Sequence, residues 1–166
     1  AAINESLEHL APWMEWAREP AKEAGLAEYF AAGEAQWDAR REFGFHVVEP
    51  TEGGGERVIG GCGLHGRLGA DGLEIGYWVH VDRIGQGIAT DLARALTDAA
   101  FAIEGILRVR IQCAEDNVRS ARVPEKLGYR FLGVTDGNGP CAGRPTQQWL
   151  LEREAWRAGR LATRRW

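Results

Sequence analysis

The sequence predicts an α+β domain built on a mixed, mostly antiparallel central sheet, and two neighbouring patterns are the basis for this. Between Leu73 and Val81, apolar residues alternate with the others at a period of two, which is typical of a half-buried β-strand. From Gly87 to Ala99 the apolar period becomes helical, and a further strand pattern follows at 107–113. A strand, a helix and a strand in this order form a βαβ unit, so these two strands are expected to be parallel.

The chain before this unit is expected to hold helices and two more strands. Residues 1–42 follow helical spacing, interrupted by two prolines. Strand patterns at 43–48 and 57–65 flank a glycine-rich turn, and with the strand at 73–81 they predict a three-stranded antiparallel meander. Glycines weaken the middle strand and indicate a bulge or close packing there, at Gly60, Gly61 and Gly63.

After the unit, the sequence predicts a short helix at 118–127 with Asn117 as its N-cap and Gly128 at its C′ position. Pro124 lies inside this helix and cannot donate to the Ser120 carbonyl, so we expect a kink or a local opening. Strand patterns at 129–134 and 147–151 predict a terminal hairpin. The basic tail at 152–166 is either a helix packed outside the domain or partly disordered. The whole chain, 1–166, is expected to form a single domain.

Composition excludes several classes of function. The 166 residues carry a net charge of −4, which argues against general affinity for nucleic acid. The sequence has neither a long apolar run nor a leader pattern, so we expect a cytoplasmic protein without a membrane span. The cysteines are few and widely spaced, so neither a disulfide framework nor a metal site is predicted from Cys62, Cys113 and Cys141.

The turn Gly85-Gln86-Gly87 separates the strand at 73–81 from the following helix. Glycines at such a turn let a ligand approach bare backbone N–H groups closely. The N-terminus of the helix adds about half a positive charge. The sequence therefore predicts an anion site here, of the kind that binds phosphate.

Three features in this order resemble the GNAT acetyltransferases, and among them the Rim-type branch related to ribosomal-protein N-terminal acetyltransferases. They are Gly85-Gln-Gly-Ile-Ala89 after Tyr-Trp-Val, a helix followed by a strand, and Asp116-Asn117-x-x-Ser120 leading to Glu125-Lys-Leu-Gly-Tyr129. The family signature, Q/R-x-x-G-x-G/A, maps onto 84–89 with Ile84 in place of Gln or Arg. Arg83 or Arg119 is the expected source of the missing positive charge.

The resemblance implies that this turn binds the pyrophosphate of acetyl-CoA and that the pantetheine arm lies in a gap between the strands at 73–81 and 107–113. Trp78 and Val79 would offer backbone groups to the thioester, with the Val79 N–H donating to the oxyanion, and Ser120 would be the general acid for the leaving thiolate. Tyr129 is a second candidate acid, although packing is the favoured interpretation. The implied cofactor-binding residues are Trp78, Val79, Ile84, Gly85, Gln86, Gly87, Ile88, Ala89, Thr90, Asn117 and Ser120.

Glu74 is the candidate general base. An α-amine has a pKa of about 8 and must lose a proton before it attacks a thioester. Glu74 lies on the same strand face as Trp78, although an exposed carboxylate or an arginine partner is the alternative interpretation. His80 shares this face and is expected to be a surface residue, while His46 and His65 are weaker candidates for the acceptor pocket.

These expectations describe an acetyl-CoA-dependent N-acetyltransferase that uses direct attack in a ternary complex, without a metal. The acceptor is a primary amine, with a protein N-terminus preferred. The alternatives are a small-molecule or antibiotic acetyltransferase, and an acyl-CoA sensor without turnover, which Ile84 favours. The aromatic segment 10–16 is either helix packing or a wall of the acceptor pocket. The seven tryptophans of the chain predict a Trp-rich surface, which suggests a homodimer.

Family domains begin with a strand, whereas this sequence begins in a helical pattern. The resemblance therefore implies an absent N-terminal strand, which would leave the strand at 43–48 open to a partner or to the basic tail.

Overall fold

The computed structural model describes residues 1–137 and 143–163. Two short helices open the chain and single turns of 3-10 helix follow them, at Glu15–Ala17, Glu23–Gly25 and, after the third strand, Val81–Arg83. The predicted helical run at 21–42 is shorter in the structure. The helices are α1 (Ala2–Glu5), α2 (Leu7–Leu10), α3 (Leu26–Asp38), α4 (Ile88–Ala102), α5 (Val118–Lys126) and α6 (Arg153–Thr163).

One six-stranded sheet runs through the domain in the order β1-β2-β3-β4-β6-β5. Only β3 and β4 pair in parallel, joined by α4, and the other neighbours are antiparallel. The predicted mixed, mostly antiparallel sheet is therefore confirmed, with β6 placed between β4 and β5. The strands are β1 (Glu42–Pro50), β2 (Glu56–His65), β3 (Gly72–Val79), β4 (Arg108–Ala114), β5 (Arg130–Asp136) and β6 (Pro145–Glu152).

The parallel pair separates before either strand ends. Pairing of β3 with β4 begins at Gly72–Arg108 and stops at Ile75–Ile111. Both strands then continue, β3 to Val79 and β4 to Ala114. The sheet therefore contains a wedge-shaped gap between its two central strands, as the family resemblance implies.

The main core fills one face of the sheet. Leu73 and Ile75 of β3 and Val109 and Ile111 of β4 point into it and pack against α4 and α5. The period of two on the strands and the helical stripe of α4 produce this core directly, since each places its apolar residues on one side. The helix-side members of the cluster are Ala93, Leu96, Ala100, Phe101, Val123, Leu127 and Tyr129.

The N-terminal segment covers the opposite face of β3. The Trp16 ring meets the Trp78 ring edge-on, with centroids 6.2 Å apart. His80 is only 1% exposed, and its Nε2 lies 3.0 Å from the Glu5 carboxylate. The expectation that His80 is a surface residue is therefore wrong, because α1 packs over it and supplies a polar partner.

The C-terminal helix lies far from the open edge of the sheet. α6 packs on β6, and Trp156 Nε1 donates to Asp98 on α4 at 2.9 Å. β1 is an edge strand. The suggestion that the basic tail pairs with the first strand is therefore wrong for residues 153–163; 164–166 lie outside the described residues.

Cys62, half-buried, and Cys113, buried, form no disulfide among the described residues, and Cys141 lies outside them. Among the helices that the structure describes, none has the length and apolar character needed to cross a bilayer.

Two glycines on neighbouring strands allow a test of the close packing predicted for β2. A Cβ at Gly60 would lie 2.6 Å from the Trp78 carbonyl oxygen, whereas a Cβ at Gly44 on β1 would meet nothing within 4 Å. Because a backbone carbonyl in a paired strand cannot move aside, Gly60→Ala should lower the free energy of unfolding by about 1–3 kcal/mol. Gly44→Ala should change it by less than about 1 kcal/mol. Urea denaturation measures both, and equal effects would contradict the packing argument.

Candidate active site

The turn before α4 is shaped to bind an anion. Gly85 and Gly87 have φ angles of 76° and 85°, in the left-handed region that glycine adopts without strain. A Cβ at either position would have nothing within 4 Å, so the turn lies open. In the described part of the chain, the backbone N–H groups of residues 85–89 have no hydrogen-bond acceptor. These free donors at the start of a 15-residue helix suit a phosphate.

Side chains around the turn hold its shape. Gln86 Nε2 donates to the Asp82 carbonyl at 3.2 Å. Arg83 donates to both oxygens of Glu49, at 2.7 and 2.9 Å, and this guanidinium lowers the pKa of the Glu49 carboxyl. The Arg83 guanidinium is therefore already paired with the Glu49 carboxylate. Arg119 lies exposed on the first turn of α5 and, among the described residues, has no carboxylate partner, so it is the better candidate for the charge missing at Ile84.

The gap between β3 and β4 is lined by backbone groups. His80 N–H donates to the Ile59 carbonyl at 2.8 Å, on the β2 side. Because alternate residues of an antiparallel strand point their N–H and C=O groups to opposite sides, those of Tyr77 and Val79 point into the gap. The N–H of Val79 is therefore free to donate there. The backbone of Trp78 points toward β2, where Trp78 pairs with Gly61, so the expectation that its backbone faces the thioester is wrong.

Helix α5 begins beside this gap. Asn117 Oδ1 accepts the Ser120 N–H at 3.1 Å, so the side chain is the predicted N-cap. Ser120 Oγ lies 3.0 Å from the Tyr77 hydroxyl, and the Ser120 carbonyl lies 3.3 Å from the same hydroxyl. Burial raises the pKa of Tyr77 above its usual value. Ser120 and Val79 thus border the gap from two sides.

Tyr129 points away from the gap. Its hydroxyl lies 2.6 Å from Thr97 Oγ1 on α4, and the residue is 4% exposed. Burial raises its pKa above the usual value. The contacts support packing rather than proton donation for this tyrosine.

Glu74 lies at the closed end of the gap, on the face that carries Trp78. It is 3% exposed. Its Oε2 accepts from Arg110 at 2.6 and 3.0 Å and from Gln112 at 2.8 Å. Its Oε1 accepts one longer contact, from Arg67 at 3.3 Å. The arginine partner that the sequence left open is therefore present, and Oε1 is the less engaged oxygen.

The segment 11–15 forms an open cleft with Arg18 and Arg144. Arg144 donates to the Pro12 carbonyl at 2.6 Å and to Asp116, and its guanidinium lies 5.7 Å above the Trp13 ring. This contact joins the N-terminal segment to the residue just before Asn117. Of the weaker candidates, His46 is exposed beside Phe30, while His65 lies next to Gly76.

Three residues of the site were missed from the sequence. Arg110 and Gln112 reach Glu74 only because β4 pairs with β3 in one register. Tyr77 occupies what looks like an ordinary apolar position of the strand. Pro124 is the signal that could have indicated Tyr77. Proline has no N–H to donate to the Ser120 carbonyl, so this carbonyl needs a hydrogen-bond donor from another part of the chain.

No group of three or more His, Cys, Asp or Glu side chains within the described ranges is placed to hold a metal ion.

Comparisons with known proteins agree with this geometry. The family model of the acetyltransferase (GNAT) domain matches residues 3–130. The chain is 41% identical over 56 residues to YdaF of Bacillus subtilis strain 168, which is named as a candidate ribosomal N-acetyltransferase; the match covers 34% of this chain and 31% of YdaF. The matched regions span less than half the length of the curated relatives.

Solved structures share the fold. The crystal structure of a probable acetyltransferase superposes with a TM-score of 0.80 at 24% identity, covering 93% of this chain and 86% of the other. The ribosomal L7/L12 alpha-N-protein acetyltransferase RimL, in complex with coenzyme A, superposes with a TM-score of 0.77 at 15% identity and the same coverage. The family match extends over most of the described chain, and the resemblance inferred from the glycine turn and the Asn117–Ser120 motif is confirmed: the chain belongs to the GNAT acetyltransferase family.

Proposed function

We propose that the protein transfers the acetyl group of acetyl-CoA to a primary amine, and that the acceptor is the N-terminal α-amine of a protein. One observation carries the proposal. A row of free N–H groups at 85–89 adjoins a gap in the sheet that exposes the backbone of Tyr77 and Val79. The row of N–H groups suits a pyrophosphate. The exposed backbone suits an extended, amide-containing arm that forms hydrogen bonds like an added strand.

The residues around the gap divide the chemistry between them. Val79 N–H donates to the oxygen that becomes negative when the amine attacks the thioester carbonyl. Asn117 shapes the first turn of α5, and Ser120 gives a proton to the departing thiolate. The structure describes a group for each of these roles.

Glu74 is the proposed acceptor of the amine proton, through Oε1. Protonation of Oε2 would break charge-assisted hydrogen bonds to Arg110, which are about twice as strong as neutral ones. Oε1 has one long contact, so a proton can reach it directly or through a water with less loss. The ion pairs of Glu74 would also explain a purely structural carboxylate. A substitution of Glu74 therefore distinguishes a catalytic role from a structural one.

The choice of a protein N-terminus rests on the relatives. YdaF carries the name of a candidate ribosomal N-acetyltransferase, and RimL acts on a ribosomal protein. The cleft bounded by 11–15 and Arg144 is the proposed acceptor side, because Arg144 joins it to Asp116, the residue before Asn117.

A panel of acceptors tests this choice. Release of the CoA thiol should be fastest with short peptides that have a free α-amine and should vanish with the same peptides acetylated. Faster release with an aminoglycoside or a polyamine would identify a small-molecule enzyme instead. No release with any amine, together with tight acetyl-CoA binding, would identify a sensor.

The glycine turn can be tested with a matched pair of substitutions. Gly87 and Gly105 both have left-handed φ angles, 85° and 84°, and at both positions an added Cβ would have nothing within 4 Å. Each alanine variant should lose a similar amount of stability, about 1–3 kcal/mol. Only Gly87→Ala should weaken acetyl-CoA binding, by about tenfold or more, because the N–H row would be displaced. The rise in melting temperature on titrating acetyl-CoA measures this, and equal affinities would remove the turn from the binding site.

Glu74→Gln tests the base. It should lower kcat at neutral pH by about 100-fold, the usual size of general base catalysis, and leave KM for acetyl-CoA within twofold. The variant should also melt at a lower temperature, because Arg110 loses its countercharge.

Asp71→Asn is the control for Glu74→Gln, since it removes the carboxylate just before β3 that pairs with Arg108 of β4, and it should leave kcat unchanged. A Glu74→Gln enzyme with full kcat and a lowered melting temperature would show that Glu74 is structural.

A further inference from the structure

We propose that Tyr77 is a positioning residue for Ser120, and that its hydroxyl controls whether the Ser120 proton points into the gap. The inference rests on the proposed role of Ser120 as the acid. It concerns a side chain to which the sequence pattern assigned no role, and it follows from one hydroxyl that contacts two atoms of the same serine.

The arrangement begins with Pro124. In a regular helix the N–H of residue 124 would donate to the Ser120 carbonyl, but proline has no N–H. The Tyr77 hydroxyl, on the neighbouring strand, lies 3.3 Å from that carbonyl oxygen and supplies the missing donor. The interruption of α5 thus explains why a buried tyrosine hydroxyl lies beside the first turn of the helix.

The same hydroxyl lies 3.0 Å from Ser120 Oγ. It has one proton, so it can donate either to the carbonyl or to Oγ. While it donates to the carbonyl, the Ser120 proton is directed at the tyrosine oxygen. When it donates to Oγ, the Ser120 proton is free to turn into the gap. Two hydrogen-bond patterns therefore exist on the same atoms, and they differ only in where the serine proton points.

The second pattern suits departure of the thiol. The amine nitrogen forms a bond to the thioester carbon, and the carbon–sulfur bond then breaks with its electron pair on sulfur. The Ser120 proton passes to that sulfur, Glu74 takes the proton that the amine nitrogen releases, and Ser120 Oγ regains a proton from solvent. Meanwhile Tyr77 donates to the negative Oγ and keeps its own proton, in line with the raised pKa that burial causes. One acetyl group moves, and one proton leaves nitrogen as one reaches sulfur.

Tyr77→Phe removes this hydroxyl and keeps the ring. It should lower kcat by about tenfold, the size of one hydrogen bond to a charged oxygen, and leave KM for acetyl-CoA within twofold. Tyr129→Phe is the matched control, since it removes another buried tyrosine hydroxyl bonded to a hydroxyl side chain, that of Thr97, outside the gap. Its kcat should stay within twofold of the parent protein. Equal losses of kcat in the two variants would overturn the inference.

A double-mutant cycle with Ser120→Ala separates positioning from packing. Ser120→Ala should lower kcat by about 100-fold, and adding Tyr77→Phe to it should change kcat by less than twofold, because the tyrosine then has no serine to direct. A further tenfold loss in the double variant, or full activity of Ser120→Ala, would overturn the inference. The parent protein shows which proposal has failed: without thiol release from any amine the proposed function fails as well, whereas with normal release only the role of Tyr77 fails.

Discussion

The separation of β3 from β4 after Ile75 and Ile111 is the constraint on which the rest of the structure depends. Two central strands that separate inside a sheet leave backbone donors and acceptors without partners. Buried backbone groups of this kind need hydrogen-bond partners from elsewhere. The surrounding helices and the N-terminal segment are arranged around that opening. The start of α4 lies at its mouth, α5 borders one side, and the N-terminal segment covers the other face of β3.

Local sequence specified the centre of the fold well. The strand, turn and helix that run from Gly72 to Ala102 have a clear change of period, and the structure follows it to within a few residues. The glycine turn and the helix cap also agree with the sequence, because the left-handed angle at Gly87 and the cap by Asn117 depend on neighbouring residues alone. The position of β6 between β4 and β5 could not be predicted, because it depends on pairing between distant strands.

The side chains around the opening also fall into two groups, those that depend on local sequence and those that depend on pairing between distant strands. The glycine turn and Ser120 could be found from motifs along the chain. The partners of Glu74 could not, since Arg110 and Gln112 are 36 and 38 residues away and approach only through the register of β4. The burial of His80 was missed for a related reason, because an isolated strand pattern does not show that the first helix will cover its outer face.

The place of β6 has a consequence for synthesis on the ribosome. β5 lies at the edge of the sheet and is joined to the rest only through β6, which follows it in the chain. Until residues 145–152 emerge, β4 presents an open edge and β5 has no neighbour to pair with. A nascent chain at that stage carries an unprotected strand from the middle of its future sheet, the kind of edge that attracts other chains. Closing this edge therefore waits for β6, which begins more than forty residues after the end of α4.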